Sequence, residues 1–386
     1  MVTAQQDLAA RVGDHLTQAW RLAFEATPRE LFIPHHALWL KAGAGKVRID
    51  RDIDPDTWTR AVYSDDVIIT QFDDGIINGE GEYTSSASMP SIMLTMLNEL
   101  DVHHGHQVLE IGTGTGYNAA LLAARLGDHA VTTIEIDAHL AEQARRNLAK
   151  LGRNVFVSTG DGAAGYLPRA PYDRVIATCS VETIPWPWVA QTRPGGVIVT
   201  PWGPAMANDH LLRLEVDDDR AVGTIVGSVG FMRLRDQRWM ISDEPDDFPD
   251  IATASGTDLD THEVLGNHST LAVALHLGPC RAIFEPDLTT GTEILWLLAA
   301  DSWASVSQGQ VHQAGARNLW DEAVTAYHWW IKHNRPNRQQ FHLTVTSERQ
   351  WVWLDHPANL VTTLTPPTHA AAHSSASADH SPVTTN

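Results

Sequence analysis

Three glycines at alternate positions, Gly112, Gly114 and Gly116, stand between a short apolar run, QVLEIG, and a helical pattern, YNAALLAARLG. Glycine lets a backbone turn sharply and lie against a bound molecule with no Cβ in between. A strand that enters this loop and leaves as a helix therefore predicts a nucleoside ligand at residues 108 to 117. Nineteen residues past Gly116, at the end of the next strand pattern, stands Glu135, whose carboxylate would accept both hydroxyls of a ribose. Asp161, in the Gly-Asp-Gly that ends a third strand pattern, would accept an adenine amino group. The G-x-G-x-G spacing departs from the dinucleotide G-x-G-x-x-G, and no Lys-Ser or Lys-Thr pair closes the loop as in a phosphate site. S-adenosylmethionine, a nucleoside without phosphate, fits both departures. A tight turn with no ligand is the alternative for the glycines alone; Glu135 and Asp161 in register weigh against it.

Positioning these groups requires alternating strands and helices. QVLEIG (107 to 112) is a strand, YNAALLAARLG (117 to 127) a helix with Gly127 suited to a left-handed cap, AVTTIEID (130 to 137) a strand and AHLAEQARRNLAKLG (138 to 152) a helix. NVFVSTGDG, YDRVIATCS and GGVIVTPWG supply further strands, and LLRLEVDDDRAVGTIVGSVGFMRLR reads as a closing antiparallel hairpin around an acidic turn. The pattern is that of an α/β doubly wound, Rossmann-like sheet. It divides the chain into a unit at 1 to 238, with an N-terminal segment at 1 to 90 and a cofactor-binding core at 91 to 238. A smaller α+β unit at 239 to 365 follows and holds eight of the fourteen tryptophans; the small, polar tail at 366 to 386 is expected to be disordered.

Composition narrows the function. Lys and Arg number 27 against 47 Asp and Glu, a formal charge of -20, which disfavours a nucleic-acid partner because that affinity rests on basic groups neutralising phosphates. No apolar run approaches the ~20 residues of a membrane span, and the N-terminus lacks the basic and apolar regions of a secretory signal. Two cysteines are too few for a disulfide framework or a cysteine-based zinc site. A cytoplasmic protein without membrane or metal is expected. His103, His104 and His106 read as a solvated loop.

The stretch V-L-E-I-G-T-G-T-G-Y-N-A-A resembles the protein-L-isoaspartate O-methyltransferase family, as do A-F-E-A-T-P-R-E-L-F-I-P (23 to 34), A-V-Y-S-D-D (61 to 66) and Y-D-R-V-I-A-T-C-S through P-W-G. The resemblance covers roughly the first 235 residues and implies a class I S-adenosylmethionine-dependent methyltransferase fold. It places Glu110, Thr113, Tyr117, Ile136 and Gly162 at the cofactor beside the three glycines, Glu135 and Asp161. In T-S-S-A-S-M-P (84 to 90), Ser88 matches the family serine beside the substrate carboxylate, and Ser86 stands for the family threonine at the cofactor. Ser85 replaces a glutamine, and Ser91 follows Pro90.

Methyl transfer to a carboxylate needs little acid or base work, since the nucleophile is ionised near neutral pH. The resemblance implies that Ser88 orients that carboxylate on a peptide or protein partner carrying Asp or isoaspartate. The resulting ester closes readily to a succinimide (aspartimide). The extension and the changed Ser85 and Ser91 resemble the bacterial peptide-tailoring branch found with lanthipeptide and graspetide pathways, so maturation of a ribosomally made peptide is the leading expectation. Repair of isoaspartyl proteins is the alternative, and a catalytically silent binding protein that kept the fold is the alternative of another class. In the extension, EILWLLAADSWASVSQ and QQFHLTVTSERQWVWLD read as strands and NLWDEAVTAYHWWIKHN as an amphipathic helix. Its tryptophans are expected to fill that unit's own core, with a minority lining a peptide groove.

Overall fold

The computed structural model describes residues 4–76, 81–238, 252–266, 268–286 and 291–364; the tail at 366 to 386 lies outside them. The chain begins with helices α1 (Ala4–Arg11) and α2 (Gln18–Glu25). Strands β1 (His36–Lys41) and β2 (Gly45–Asp50) follow, then α3 (Pro55–Val62), β3 (Val67–Phe72), β4 (Tyr83–Ala87) and α4 (Pro90–Leu100). The strands form a separate antiparallel sheet in the order β2-β1-β3-β4. This N-terminal sheet is a departure from the simple alternation expected. Gly43 and Gly45, with φ of +72° and +77°, make the tight β1–β2 turn that folds the strands onto each other rather than into the main sheet.

One side chain fastens this sheet to the rest. Arg29 is fully buried, and its guanidinium donates from Nη1 to the carbonyls of Val62 and Ser64, and from Nη2 to those of Asp66, Ala87 and Ser88, at 3.0 to 3.3 Å. Burial lowers its pKa to about 10, so it stays charged at neutral pH. Beside it Trp39 Nε1 donates to Asp66 at 2.8 Å, and the Ser91 backbone donates to Asp65 at 2.8 Å.

The central sheet starts with β5 (Val108–Ile111), α5 (Tyr117–Leu126), β6 (Val131–Glu135), α6 (Ala138–Lys150) and β7 (Phe156–Thr159). It continues through β8 (Tyr172–Ala177), α7 (Trp186–Ala190), β9 (Thr192–Trp202), β10 (His210–Val216) and β11 (Ala221–Ser228). Strands β5, β6 and β8 are buried at every residue, as parallel strands covered on both faces must be. Asp137 caps α6 by accepting from the backbones of His139 and Leu140. β10 and β11 form the expected hairpin. The order β7-β6-β5-β8-β9 reverses between β5 and β8, and this switch point opens the crevice in which such sheets bind ligands.

Beyond residue 238 come β12 (Thr253–Gly256), α8 (Thr261–Val264), α9 (Thr270–Leu277), β13 (Arg281–Pro286), β14 (Glu293–Ala299), β15 (Ser302–Ser307) and β16 (Gln310–Gly315). Then follow α10 (Leu319–Lys332), β17 (Phe341–Val345), β18 (Gln350–Leu354) and β19 (Leu360–Leu364). The expected strands and amphipathic helix are all present. β12 to β16 make a five-stranded antiparallel sheet, whereas β17 pairs with β11 and carries β18 and β19 into the central sheet, which reaches ten strands. The sheet therefore does not end at the boundary expected at residue 238. One apolar cluster runs from Ile111 and Trp188 through Leu212 to Leu271, Trp320 and Phe341, so the extension's core is continuous with that of the first unit. Trp320 and Trp330 are buried in it and Trp353 is buried apart from it, while Trp296, Trp303, Trp329 and Trp351 are half-buried. Among the described residues no helix is long and apolar enough to cross a membrane.

Replacing Arg29 with Met strands five carbonyls that converge on one point. Each buried unpaired group costs roughly 1 to 3 kcal/mol, so Arg29→Met should lose at least about 3 kcal/mol of unfolding free energy in urea. A loss below about 1 kcal/mol would show that the carbonyls find other donors.

Candidate functional site

A cleft with an interior of about 130 Å³ opens at the carboxyl ends of β5, β6 and β8. Its floor is the loop after β5, where Gly112, Gly114 and Gly116 take φ of +88°, +53° and +95°. The three glycines do different work. A Cβ on Gly112 would stand 2.9 Å from Thr178 Oγ1, and one on Gly114 would project toward Ser85 Oγ, 3.7 Å away. Gly116 does not line the cleft; its missing Cβ admits Ala144 of α6 at 3.3 Å, so it serves packing between α5 and α6. Spacing alone could not separate these duties.

Two carboxylates set the electrostatics. Glu135 is 7% exposed at the end of β6 and accepts from the backbone N–H of Gly114 at 2.8 Å and of Asp137 at 3.1 Å. Burial raises its pKa, opposed by those two hydrogen bonds. Glu110 is fully buried below the loop and accepts from Asn118 Nδ2 at 2.7 Å and Thr133 Oγ1 at 2.5 Å, while Thr133 also bonds Thr113 at 2.6 Å. Burial pushes Glu110 up to about 7. It therefore acts mainly to brace the loop from beneath.

Ile136, 36% exposed, lines the cleft next to Glu135 and offers an apolar face. Gly162 and Tyr117 also line it. Asp161 does not: it is exposed and accepts from the backbone of Ala163, capping a single helical turn. The strand β4 forms the opposite wall. Ser85 is buried and accepts from Thr70 Oγ1 at 3.1 Å beside Gly114, Ser86 follows it, and Ser88 lies further along the same wall, its carbonyl held by Arg29. The Ser88 hydroxyl makes no hydrogen bond among the described residues. Cys179 lines the cleft, but burial pushes its thiol up to about 12, which excludes a ready thiolate nucleophile. No histidine lines the cleft among the described residues; His103 and His104 sit exposed on a turn.

Several groups escaped the sequence reading. Gln71 joins the roof to the floor by donating to Asp137 Oδ2 at 2.9 Å, and Asp74 at the β3 end pairs with Arg235 at 2.7 Å and Arg238 at 2.9 Å. Arg233, Arg235 and Arg238 all line the cleft. Only the cluster of arginines in FMRLRDQR, within an acidic chain, hinted at them.

Comparison with known proteins bears on this arrangement. The family model for protein-L-isoaspartate(D-aspartate) O-methyltransferase matches residues 48–238. The chain is 42% identical over 153 residues to a protein-L-isoaspartate O-methyltransferase of a Polaromonas species, spanning 39% of this chain and 72% of the relative. The chain belongs to the protein-L-isoaspartate O-methyltransferase family. Membership brings the class I S-adenosylmethionine-dependent methyltransferase fold and that cofactor. A homologue from Archaeoglobus fulgidus is 45% identical over 123 residues, spanning 31% of this chain and 57% of its own length. A solved protein-L-isoaspartate O-methyltransferase shares the fold at 21% identity and a TM-score of 0.54, covering 91% of this chain and all of its own. That span reaches well past residue 238, so elements of the extension have counterparts in a protein bearing the family name.

If Glu135 receives the ribose hydroxyls, Glu135→Ala should weaken S-adenosylmethionine binding by about 1.5 to 3 kcal/mol in calorimetry, the scale of a charged hydrogen bond. Unchanged affinity would remove it from the site. Glu110 gives a pH signature. Its folded-state pKa, about 7, lies above the ordinary 4.5, so the folded protein holds the proton more tightly; the stability this contributes is full below about 4.5 and lost as pH rises toward 7. Glu110→Gln removes the titration, and its unfolding free energy relative to the parent should rise across that window. A flat difference would mean that Glu110 does not titrate there.

Proposed function

We propose that this protein transfers the methyl group of S-adenosylmethionine to the free carboxylate of an isoaspartyl residue in a protein or peptide. The observation that carries the reading is one cleft with Glu135 and Ile136 at one end and the unengaged Ser88 hydroxyl on its wall, in a chain of this family. The cofactor fits the donor set: a carboxylate for two hydroxyls, an apolar side chain for a purine face, and a glycine loop for close approach. When bound, it supplies a methyl group on a sulfonium that leaves as a neutral thioether.

The chain's own task is placement. Ser88 donates to one carboxylate oxygen and leaves the other free to attack, and the roof tied down through Gln71 and Asp74 limits water. Alignment of reactants in this way is worth roughly 7 to 11 kcal/mol of barrier. No base is required, in keeping with a cleft whose thiol is protonated and whose deeper carboxylates are already bonded. The methyl ester formed is attacked by the next backbone nitrogen, expelling methanol and closing a succinimide, which hydrolyses in part to normal aspartate.

Peptide tailoring was expected from the extension and from Ser85 and Ser91. The extension has counterparts in a solved protein bearing the family name. Ser85 sits at the cofactor end bonded to Thr70, and Ser91 is buried with its N–H on Asp65. Neither substitution bears on the acceptor, so isoaspartyl methylation, the chemistry of repair, is placed first. Methylation of an ordinary Asp in a constrained precursor is the competing outcome.

The full chain should methylate a short isoaspartyl peptide and leave its aspartyl twin unmodified, as read by mass spectrometry. Ser88→Ala should lower kcat/KM about 10- to 100-fold, within the range for a lost hydrogen bond to a charged group, with cofactor affinity and melting temperature preserved. Parallel loss of all three would make Ser88 structural, and methylation confined to a constrained aspartyl precursor would favour tailoring.

A further inference from the structure

After β11 the chain turns back across the carboxyl ends of β8 and β9. Ser180 donates its backbone N–H to Met232 at 2.8 Å, and Leu234 donates to Ser180 at 2.9 Å, so Arg233 is held in a bridge alongside Ser180. Its Nη2 donates to the Gly203 carbonyl at 2.7 Å, which fixes the guanidinium. Its Nη1 is buried and has no hydrogen-bond partner. A charged donor of a half-buried, cleft-lining residue that is left without a partner is costly unless an anion arrives there. Of the neighbouring arginines, Arg235 and Arg238 share Asp74, although Arg235 Nε also lacks a hydrogen-bond partner; the charge of Glu182 acts on Arg233, and Nη1 itself makes no hydrogen bond.

The sheet order says which anion. Glu135 and Ile136 lie at the end of β6, on one side of β5; Arg233 lies beyond β8, on the other. The glycine loop runs between them. A ribose at Glu135 therefore points the reacting end of the cofactor toward β8, and Arg233 stands on the acceptor's side.

We propose that Arg233 binds the acceptor carboxylate, Nη1 donating to the oxygen that is not methylated. The inference rests on the methyl-transfer reading above. In the step itself an oxygen–carbon bond forms as the sulfur–carbon bond breaks, the sulfonium becomes a thioether, and the carboxylate becomes a neutral ester. The guanidinium consequently attracts the substrate more than the product. It holds the ground state and an early transition state, in which the carboxylate keeps most of its charge, about equally, so its contribution appears in KM rather than kcat.

The test uses the full chain and two isoaspartyl peptides, one with the free carboxylate and one with the corresponding carboxamide, with peptide binding measured on protein loaded with S-adenosylhomocysteine and turnover of the carboxylate peptide measured with S-adenosylmethionine. The unaltered protein should prefer the carboxylate by about tenfold or more, the scale for a hydrogen bond between charged groups. Arg233→Met should shrink that preference below about threefold and raise KM about tenfold with kcat within about threefold, while Arg233→Lys, which keeps the charge but not the fork, falls between. An undiminished preference in Arg233→Met overturns the proposal. So does a loss of S-adenosylhomocysteine affinity as large as that of the peptide, which would assign the anion to the cofactor's own carboxylate. Should Arg233→Met fold poorly, the first measurement still decides, because an unaltered protein indifferent to carboxylate and carboxamide has no such contact. Failure of the functional reading looks different: the unaltered protein would methylate no peptide at all.

Discussion

A single buried guanidinium ties together the parts of the N-terminal segment that build one wall of the cleft. Arg29 reaches carbonyls of the α3 end, the α3–β3 link and the β4 end, and so joins three places at one point. An arginine suits the position because its planar fork offers several donors in fixed directions and remains charged when buried. The carbonyl of Ser88 is among its acceptors, so the wall of the cleft opposite the glycine loop inherits its position from a residue 59 positions earlier in the chain. Asp65 and Asp66, adjacent to this centre, extend the same order to Ser91 at the start of α4 and to Trp39 on β1.

The other wall is ordered by carboxylates rather than by a cation. Glu110 beneath the loop and Glu135 at its side bind the loop through Asn118, Thr133 and the Gly114 amide. Both acids are buried, and both are raised in pKa by that burial. The cleft is thus a preformed cavity between two polar networks, and its roof adds a third tie where Asp74 meets Arg235 and Arg238 across it. Catalysis by positioning depends on such rigidity, since a shift of an ångström in the reacting atoms is costly to rate.

Much of this was legible in the chain. The buried parallel strands read as short apolar runs, the intervening helices carried their 3.6-residue period, and the glycine loop with Glu135 marked where the cleft opens. What escaped has a common cause. Arg29 is bonded to backbone carbonyls, which leave no trace in residue type, and Arg233 is defined by a missing partner. Gly116 had the right spacing but packs against α6, because spacing along a loop does not fix direction. The four strands before residue 88 escaped because the eye follows the larger alternating pattern. The union of β17 with β11 joins segments more than a hundred residues apart, and a pairing of that range has no local signature.

That union shapes how the chain can assemble. During synthesis β11 emerges with one side paired to β10 and the other side, destined for Ala221 to Thr224 to meet His342 to Val345, without a mate. Its row of unpaired amides and carbonyls remains an open edge until the last strands leave the ribosome, and open edges invite pairing with other chains. The apolar residues of α9 and α10 become available in the same interval, before β17 arrives. Vectorial synthesis therefore keeps this edge open from the making of β11 to the making of β17, and β17 is what closes it.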